Sequence, residues 1–208
     1  MPGRTARPRI GVLALQGDFA AHRTALSEAG AEAIEVRRSG QLVGLRGLVV
    51  PGGESTTLLR LLEREGMTDA LLGFSRAGGA LFGTCAGLIL LATEVEAPRQ
   101  PCLGLLDATV ERNAFGRQAE SFVDRGELSL PGQAPSELEM VFIRAPRIRR
   151  VGTGVEILGT WRGEPVLVRQ GRILAATFHP EMTGDRRVHR YFTALAAEPS
   201  AAPVPGGV

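Results

Sequence analysis

A chain of 208 residues with 44% hydrophobic side chains can fill the core of a single domain. Its net charge of +2, with arginines scattered rather than clustered, gives no footprint for a polyanion, so nucleic acid is not an expected partner. Only two cysteines are present, Cys85 and Cys102, with neither a disulfide framework nor metal-ligand spacing, so the expectation is no metal, no membrane span and a reducing cytoplasm.

The chain opens with strands and helices in alternation. Residues 9–15 form a continuous apolar run, as in a strand buried on both faces. Gln16-Gly17-Asp18 turns the chain, and Asp18 is placed to cap a helix reaching about Ala29, with Phe19, His22, Leu26 and Ala29 at helical spacing. Second and third strands are expected at 33–37 and 45–50, giving a parallel α/β pattern. Pro51-Gly52-Gly53-Glu54-Ser55-Thr56-Thr57 follows the third strand at once. Ligands of open α/β sheets bind at that edge, and paired glycines let backbone amides approach them. Helices are expected over 56–65 and 68–77.

The stretch 79–91 organises the rest. A short apolar strand, Ala80-Leu81-Phe82, ends at Gly83. Cys85 follows in the pattern Gly-x-Cys-x-Gly, and Leu88 to Leu91 continue as an apolar helix. This is the strand, sharp turn and helix of a nucleophile elbow with Cys in the nucleophile's place, the sulfur set at a helix N-terminus that favours a thiolate. A small buried core cysteine is the plainer alternative for this stretch taken alone.

Beyond the elbow, Pro98, Pro101 and Gly104 break the chain, and strand-like stretches follow at 105–111, 120–123, 139–143, 155–161, 165–169 and 173–177, separated by turn signals. This half is richer in antiparallel strands, expected to extend the sheet and fold over its carboxyl edge. Asp185 is placed to cap a last helix, 186–196, with Val188, Phe192 and Leu195 on its apolar face. Residues 1–8 and 199–208 read as disordered tails of one domain spanning 1–208.

Of the three histidines, His179 directly follows a buried strand, in Phe178-His179-Pro180-Glu181. Read as an extended segment, this places Glu181 on the same side as His179, able to accept from Nδ1 and leave Nε2 for Cys85. His22 sits within an early helix and His189 on the last one; neither is assigned a role. Cys102 reads as structural or incidental.

Phe82-Gly83-Thr84-Cys85-Ala86-Gly87 together with Phe178-His179-Pro180-Glu181 resembles the class I, triad-type glutamine amidotransferases. Gly11 to Gly17, Pro51 to Thr57, Arg112-Asn113-Ala114-Phe115-Gly116-Arg117-Gln118 and Phe142-Ile143-Arg144-Ala145-Pro146 narrow it to the glutaminase subunits of two-component pyridoxal phosphate synthases. The resemblance implies an open, mostly parallel sheet with helices on both faces, flavodoxin-like and three-layered. It implies hydrolysis of L-glutamine to glutamate and ammonia, no cofactor, and a synthase partner subunit that receives the ammonia. Carried over, Cys85 is the nucleophile, His179 the base and Glu181 its orienter. Gly53, Glu54, Ser55, Arg112, Ile143 and Arg144 would hold glutamine, Arg112 or Arg144 pairing its carboxylate and Glu54 its ammonium. The oxyanion hole would be the Ala86 N–H with one from the Gly52-Gly53 loop, Gly53 in particular. Because glycine lets that loop present either N–H or C=O, activity is expected to depend on the partner. Two departures, Met182 for an expected Leu and Ala21 for an expected acidic residue, are read as remote from the chemistry. A glutaminase serving another synthase, a cysteine peptidase or γ-glutamyl hydrolase, and a non-catalytic glutamine sensor are the alternatives.

Overall fold

In the computed structural model, which describes residues 6–112, 114 and 121–199, the first half of the chain alternates as expected. In order come β1 (Arg9–Leu13), α1 (Phe19–Glu28), β2 (Glu32–Val36), β3 (Gly47–Val50), α2 (Ser55–Arg64), α3 (Met67–Arg76), β4 (Ala80–Thr84) and α4 (Ala86–Leu91). The second half is β5 (Ala92–Glu96), β6 (Leu106–Glu111), β7 (Ser121–Leu128), β8 (Ser136–Ile143), β9 (Arg147–Val151), β10 (Glu156–Trp161), β11 (Glu164–Gln170), β12 (Ile173–Ala176) and α5 (Arg187–Ala197).

Nine strands join in the order β2-β1-β3-β4-β12-β11-β10-β7-β8. The run from β2 to β12 is parallel and the run from β12 to β8 antiparallel, a mixed sheet of α/β type. Side chains alternate across it with the period of two that a strand imposes. On one face Ile10, Val12, Val49, Phe82, Leu174 and Ala176 pack with Leu26 of α1 and with Val188, Phe192 and Leu195 of α5. On the other, Leu13, Leu48, Val50, Leu81 and Ala175 pack with Leu58 and Leu62 of α2, Leu71 of α3 and Leu88 of α4. Helices therefore cover both faces. The central strand β4 is buried at all five positions, because it has a strand on each side and a helix above and below.

Several sequence expectations need correction. Strands β5 and β9 were not foreseen, and with β6 they form a separate three-stranded sheet rather than an extension of the large one. That small sheet packs Ala92, Val95, Ala108, Val110 and Ile148 onto the α2–α4 side of the core. Asp18 occupies the N-cap position of α1, but its side chain bonds no amide there. The N-cap of α5 is Arg186 and not Asp185, which stands one residue earlier and accepts from the Arg187 N–H at 2.9 Å; the helix begins one residue later than expected. Pro8 is no free tail, since its carbonyl accepts from the Glu32 N–H at 3.0 Å. Asn113, Phe115 to Gln118, Glu120 and the remaining tail positions 1–5 and 200–208 lie outside the described residues.

Candidate active site

Cys85 lies in the tight connection between β4 and α4, with φ 49° and ψ −101°. A non-glycine residue with positive φ costs roughly 1–3 kcal/mol and persists where its surroundings enforce it. Here the Cys85 N–H donates to the Ala176 carbonyl of β12 at 2.9 Å, and its carbonyl accepts from Ile89 of α4 at 3.2 Å. The flanking glycines allow the close approach this needs. A Cβ at Gly83 would lie 2.6 Å from the Gly87 carbonyl carbon, and one at Gly87 would collide with the Val50 carbonyl oxygen. The thiol is nearly buried and lies 3.8 Å from the Ile143 carbonyl oxygen.

His179 follows β12, whose neighbour in the sheet is β4, so the two strands deliver base and thiol to one sheet edge. The His179 N–H donates to the Val141 carbonyl of β8 at 2.8 Å. Glu181 reaches His179 differently from the expectation. The segment is a 3₁₀ turn, Pro180–Met182, with proline at its start, and not an extended stretch. The turn curls the Glu181 carboxylate back so that Oε1 lies 2.7 Å from His179 Nδ1. His179 Nε2 is buried with no hydrogen-bond partner among the described residues. Gly52 packs against this pair: a Cβ there would lie 2.5 Å from His179 Cε1 and 3.3 Å from the Cys85 Cβ.

Burial by itself would lower the His179 pKa. The Cys85 thiol and the Glu181 carboxylate beside it outweigh burial and push it up to about 10. Burial would raise the Glu181 pKa, but His22 and His179 against it hold the carboxyl well below the usual carboxylate range.

Cys85 and His179 line a cavity of about 230 Å³ with Gly53, Glu54, Ser55, Arg112, Ile143 and Arg144. Glu181 stands behind His179, and Ala86 opens α4, whose first-turn amides have no acceptor within the helix. Gly17, Asp18, Ile89 and Met182 also line the cavity and were not foreseen as site residues; Met182, read as remote from the chemistry, is at its wall.

Glu54 does not offer a free carboxylate. It is the N-cap of α2: Oε1 accepts from the Thr56 N–H at 3.1 Å, and Oε2 accepts from the Thr57 N–H at 2.6 Å and from both threonine hydroxyls. Burial, which would raise its pKa, is outweighed by these bonds, and the group is lowered to about 2. Arg112 Nη2 lies 3.4 Å from Glu54 Oε1, so this guanidinium is already paired, whereas exposed Arg144 has no ion pair among the described residues. Ser55 donates to Gln100 Oε1 at 2.9 Å, and the Gln16 side chain donates to the Glu54 carbonyl at 2.7 Å, tying the β1 loop to the glycine loop.

The model of the SNO glutamine amidotransferase family matches residues 12–197, nearly the whole chain. The chain belongs to this family. The pyridoxal 5'-phosphate synthase subunit PdxT of Koribacter versatilis is 56% identical over 184 residues, covering 88% of this chain and 93% of that protein. A Thermus thermophilus subunit of the same name is 55% identical, covering 90% and 97%. A crystal structure of a glutamine amidotransferase, 54% identical, matches with a TM-score of 0.83 over 90% of this chain and 98% of that one. PurLQS from Thermotoga maritima, 16% identical with a TM-score of 0.65 over 91% and 95%, shares the fold alone.

In this amidotransferase His22, which has no assigned role in the sequence, touches the Glu181 carboxylate. Its Nε2 lies 3.3 Å from Glu181 Oε2. The only hint in the sequence was a polar residue on the apolar face of α1, and which group it would meet depends on α1 docking beside the turn after β12. Among the described residues no group of His, Cys, Asp and Glu could hold a metal ion, and no helix is long and apolar enough to cross a membrane.

Proposed function

We propose that this SNO-family amidotransferase hydrolyses L-glutamine at Cys85 and passes the ammonia to the other subunit of a pyridoxal 5'-phosphate synthase. The observation that carries the chemistry is the juxtaposition of Cys85 with a His179 that Glu181 holds from behind, on the floor of an amino-acid-sized cavity. The partner follows from relatives more than 50% identical that bear the synthase subunit's name. We take 1–208 as one amidotransferase domain working in the cytoplasm, where two free cysteines remain reduced.

Cys85 Sγ attacks the side-chain amide carbon of glutamine while its proton rests on His179. The carbonyl oxygen becomes an oxyanion, for which the Ala86 and Gly53 amides are the candidate donors. Collapse breaks the C–N bond, and His179 gives its proton to the leaving nitrogen, releasing ammonia and leaving a γ-glutamyl thioester. His179 then takes a proton from water, which attacks the thioester and frees glutamate and the thiol. Arg144, which has no ion pair among the described residues, is the group for the substrate carboxylate, with Arg112 held back by Glu54. Asp18, which also lines the cavity and makes no side-chain bond or ion pair among the described residues, suits the ammonium better than the α2 cap Glu54 does.

The test is glutaminase kinetics across a titration with the synthase subunit. Glutamate and ammonia should appear in equal amounts, rise with complex formation, and vanish in Cys85→Ala, with a loss of at least roughly 10³-fold. An electrophilic glutamine analogue should label Cys85 and spare Cys102. Labelling that survives Cys85→Ala would sink the nucleophile's assignment, and a rate flat across the titration would sink the dependence on the partner.

A further inference from the structure

All three histidines of the chain meet in one buried line that starts at the triad. Glu181 gives Oε1 to His179 and turns Oε2 towards His22 Nε2, 3.3 Å away, in an electrostatic contact whose alignment falls short of a hydrogen bond. The same His22 Nε2 is 3.1 Å from Thr84 Oγ1. That hydroxyl oxygen in turn accepts the Gly52 N–H at 3.1 Å. On its other side, His22 Nδ1 is 3.1 Å from His189 Nε2. Both His22 and His189 are fully buried, edge-on to Phe82.

The protons can be placed. His189 Nδ1 has no hydrogen-bond partner among the described residues. A buried N–H left unpaired is rarer than an unpaired acceptor, so the His189 proton belongs on Nε2 and donates to His22 Nδ1. The His22 proton then sits on Nε2, between the rear carboxylate oxygen and the Thr84 hydroxyl, which has lone pairs for both His22 and Gly52. Burial lowers the His189 pKa to about 3, which suits a neutral ring at the end of the line. The groups about His22 are Glu181 from the turn after β12, His189 from α5 with Arg186 near it, and the neutral Thr84 and Phe82 from β4.

We propose that His22 is a positioning residue of the glutaminase site, holding the rear oxygen of Glu181 and, through Thr84, the Gly52 amide of the glycine loop. One buried imidazole thereby sets both the orientation of the base and the loop that offers the oxyanion donor. His22 touches neither substrate nor thiol and acts through those two groups. The inference rests on the glutaminase reading for its kinetic consequence, but the placement of His179 can be read without substrate.

The test uses the assembled synthase and three variants. His22→Leu removes both contacts. His22→Gln reaches the Nε2 position, so its amide can still meet Glu181 Oε2 and donate to Thr84, whereas His22→Asn reaches only the Nδ1 side and His189. The expectation for His22→Leu and His22→Asn is a fall in kcat of about tenfold to hundredfold with KM for glutamine little changed, as for a small misplacement of catalytic groups. His22→Gln should recover most of the rate. In parallel, the NMR titration of His179 in the isolated chain should move to lower pH in His22→Asn and return in His22→Gln. Equal kcat and equal His179 titration in the Gln and Asn variants would overturn the proposal, whether or not His22→Leu folds. A wild-type complex that releases no ammonia counts against the glutaminase reading, and the His179 titration then decides the positioning role by itself.

Discussion

The Gly17 α-carbon packs directly against the Gly52 carbonyl oxygen, so closely that a Cβ at position 17 would collide with it. In a trans peptide the N–H points away from the C=O, so the contact also directs the Gly53 N–H away from Gly17. The β1 loop thus acts on the orientation of the peptide whose amide is a candidate oxyanion donor. Gly17→Ala, further strained by a native φ of 79°, should displace the Gly52–Gly53 peptide. Losing one oxyanion donor costs about 2.7–4 kcal/mol, or roughly a hundredfold or more in kcat. Steady-state kinetics of the complex measures this, and a kcat equal to wild type would show that the loop donates nothing to the transition state.

Arg144→Ala should raise KM for glutamine roughly tenfold to hundredfold, the worth of a charge-assisted bond to a carboxylate. Because Arg144 is exposed and unpaired among the described residues, urea unfolding should shift by no more than about 0.5 kcal/mol. An unchanged kcat/KM would move the carboxylate's partner elsewhere, with Arg112 the next candidate.

Glu54 separates cap from ligand. Glu54→Ala strips the α2 N-terminus of its acceptor and should cost about 0.5–2 kcal/mol of stability. Asp18→Asn should leave stability alone and raise KM. The reverse pattern, with Glu54→Ala as stable as wild type but poor in KM, would restore Glu54 as the ammonium's partner.

The raised His179 pKa carries a pH signature. Folding favours the imidazolium, so its stabilising contribution is complete below the ordinary 6.5 and is lost as pH rises through about 10. The stability difference between wild type and His179→Asn should therefore shrink from pH 6.5 to 10. Cys85→Ala removes one of the groups that raise the value, so the His179 titration seen by NMR should move to lower pH in that variant. A difference that stays constant over this range would mean that the imidazolium is not preferred in the folded chain.

Much of the site was legible because its signals are local. Gly83, Cys85 and Gly87 are fixed by one tight turn, and His179 and Glu181 by the residues that follow one strand. The backbone reason for the second pair was nevertheless misread, since Pro180 opens a 3₁₀ turn and not an extended segment. What stayed hidden depends on contacts between distant residues. Glu54 looks like a free carboxylate until α2 is seen to start at Ser55, one residue before the expected start, which makes Glu54 its cap. His22 looks like a misplaced polar group on an amphipathic helix until α1 meets the turn after β12. In β9, Arg147-Ile148-Arg149-Arg150-Val151 carries too few apolar residues for its pattern to announce a strand. Its Arg149 and Arg150 instead pair with Glu111 and Asp107, both on β6.

The strand that His179 follows, β12, is inserted between β4 and β11, though it is the last strand among the described residues. Without β12, β2-β1-β3-β4 and β11-β10-β7-β8 share no strand pair, and Cys85 at the end of β4 has no His179 beside it. Joining them requires a parallel pairing across a long stretch of chain, the kind of contact that forms late. A polypeptide still emerging from the ribosome, or one that ends before residue 179, therefore holds Cys85 without the means to use it.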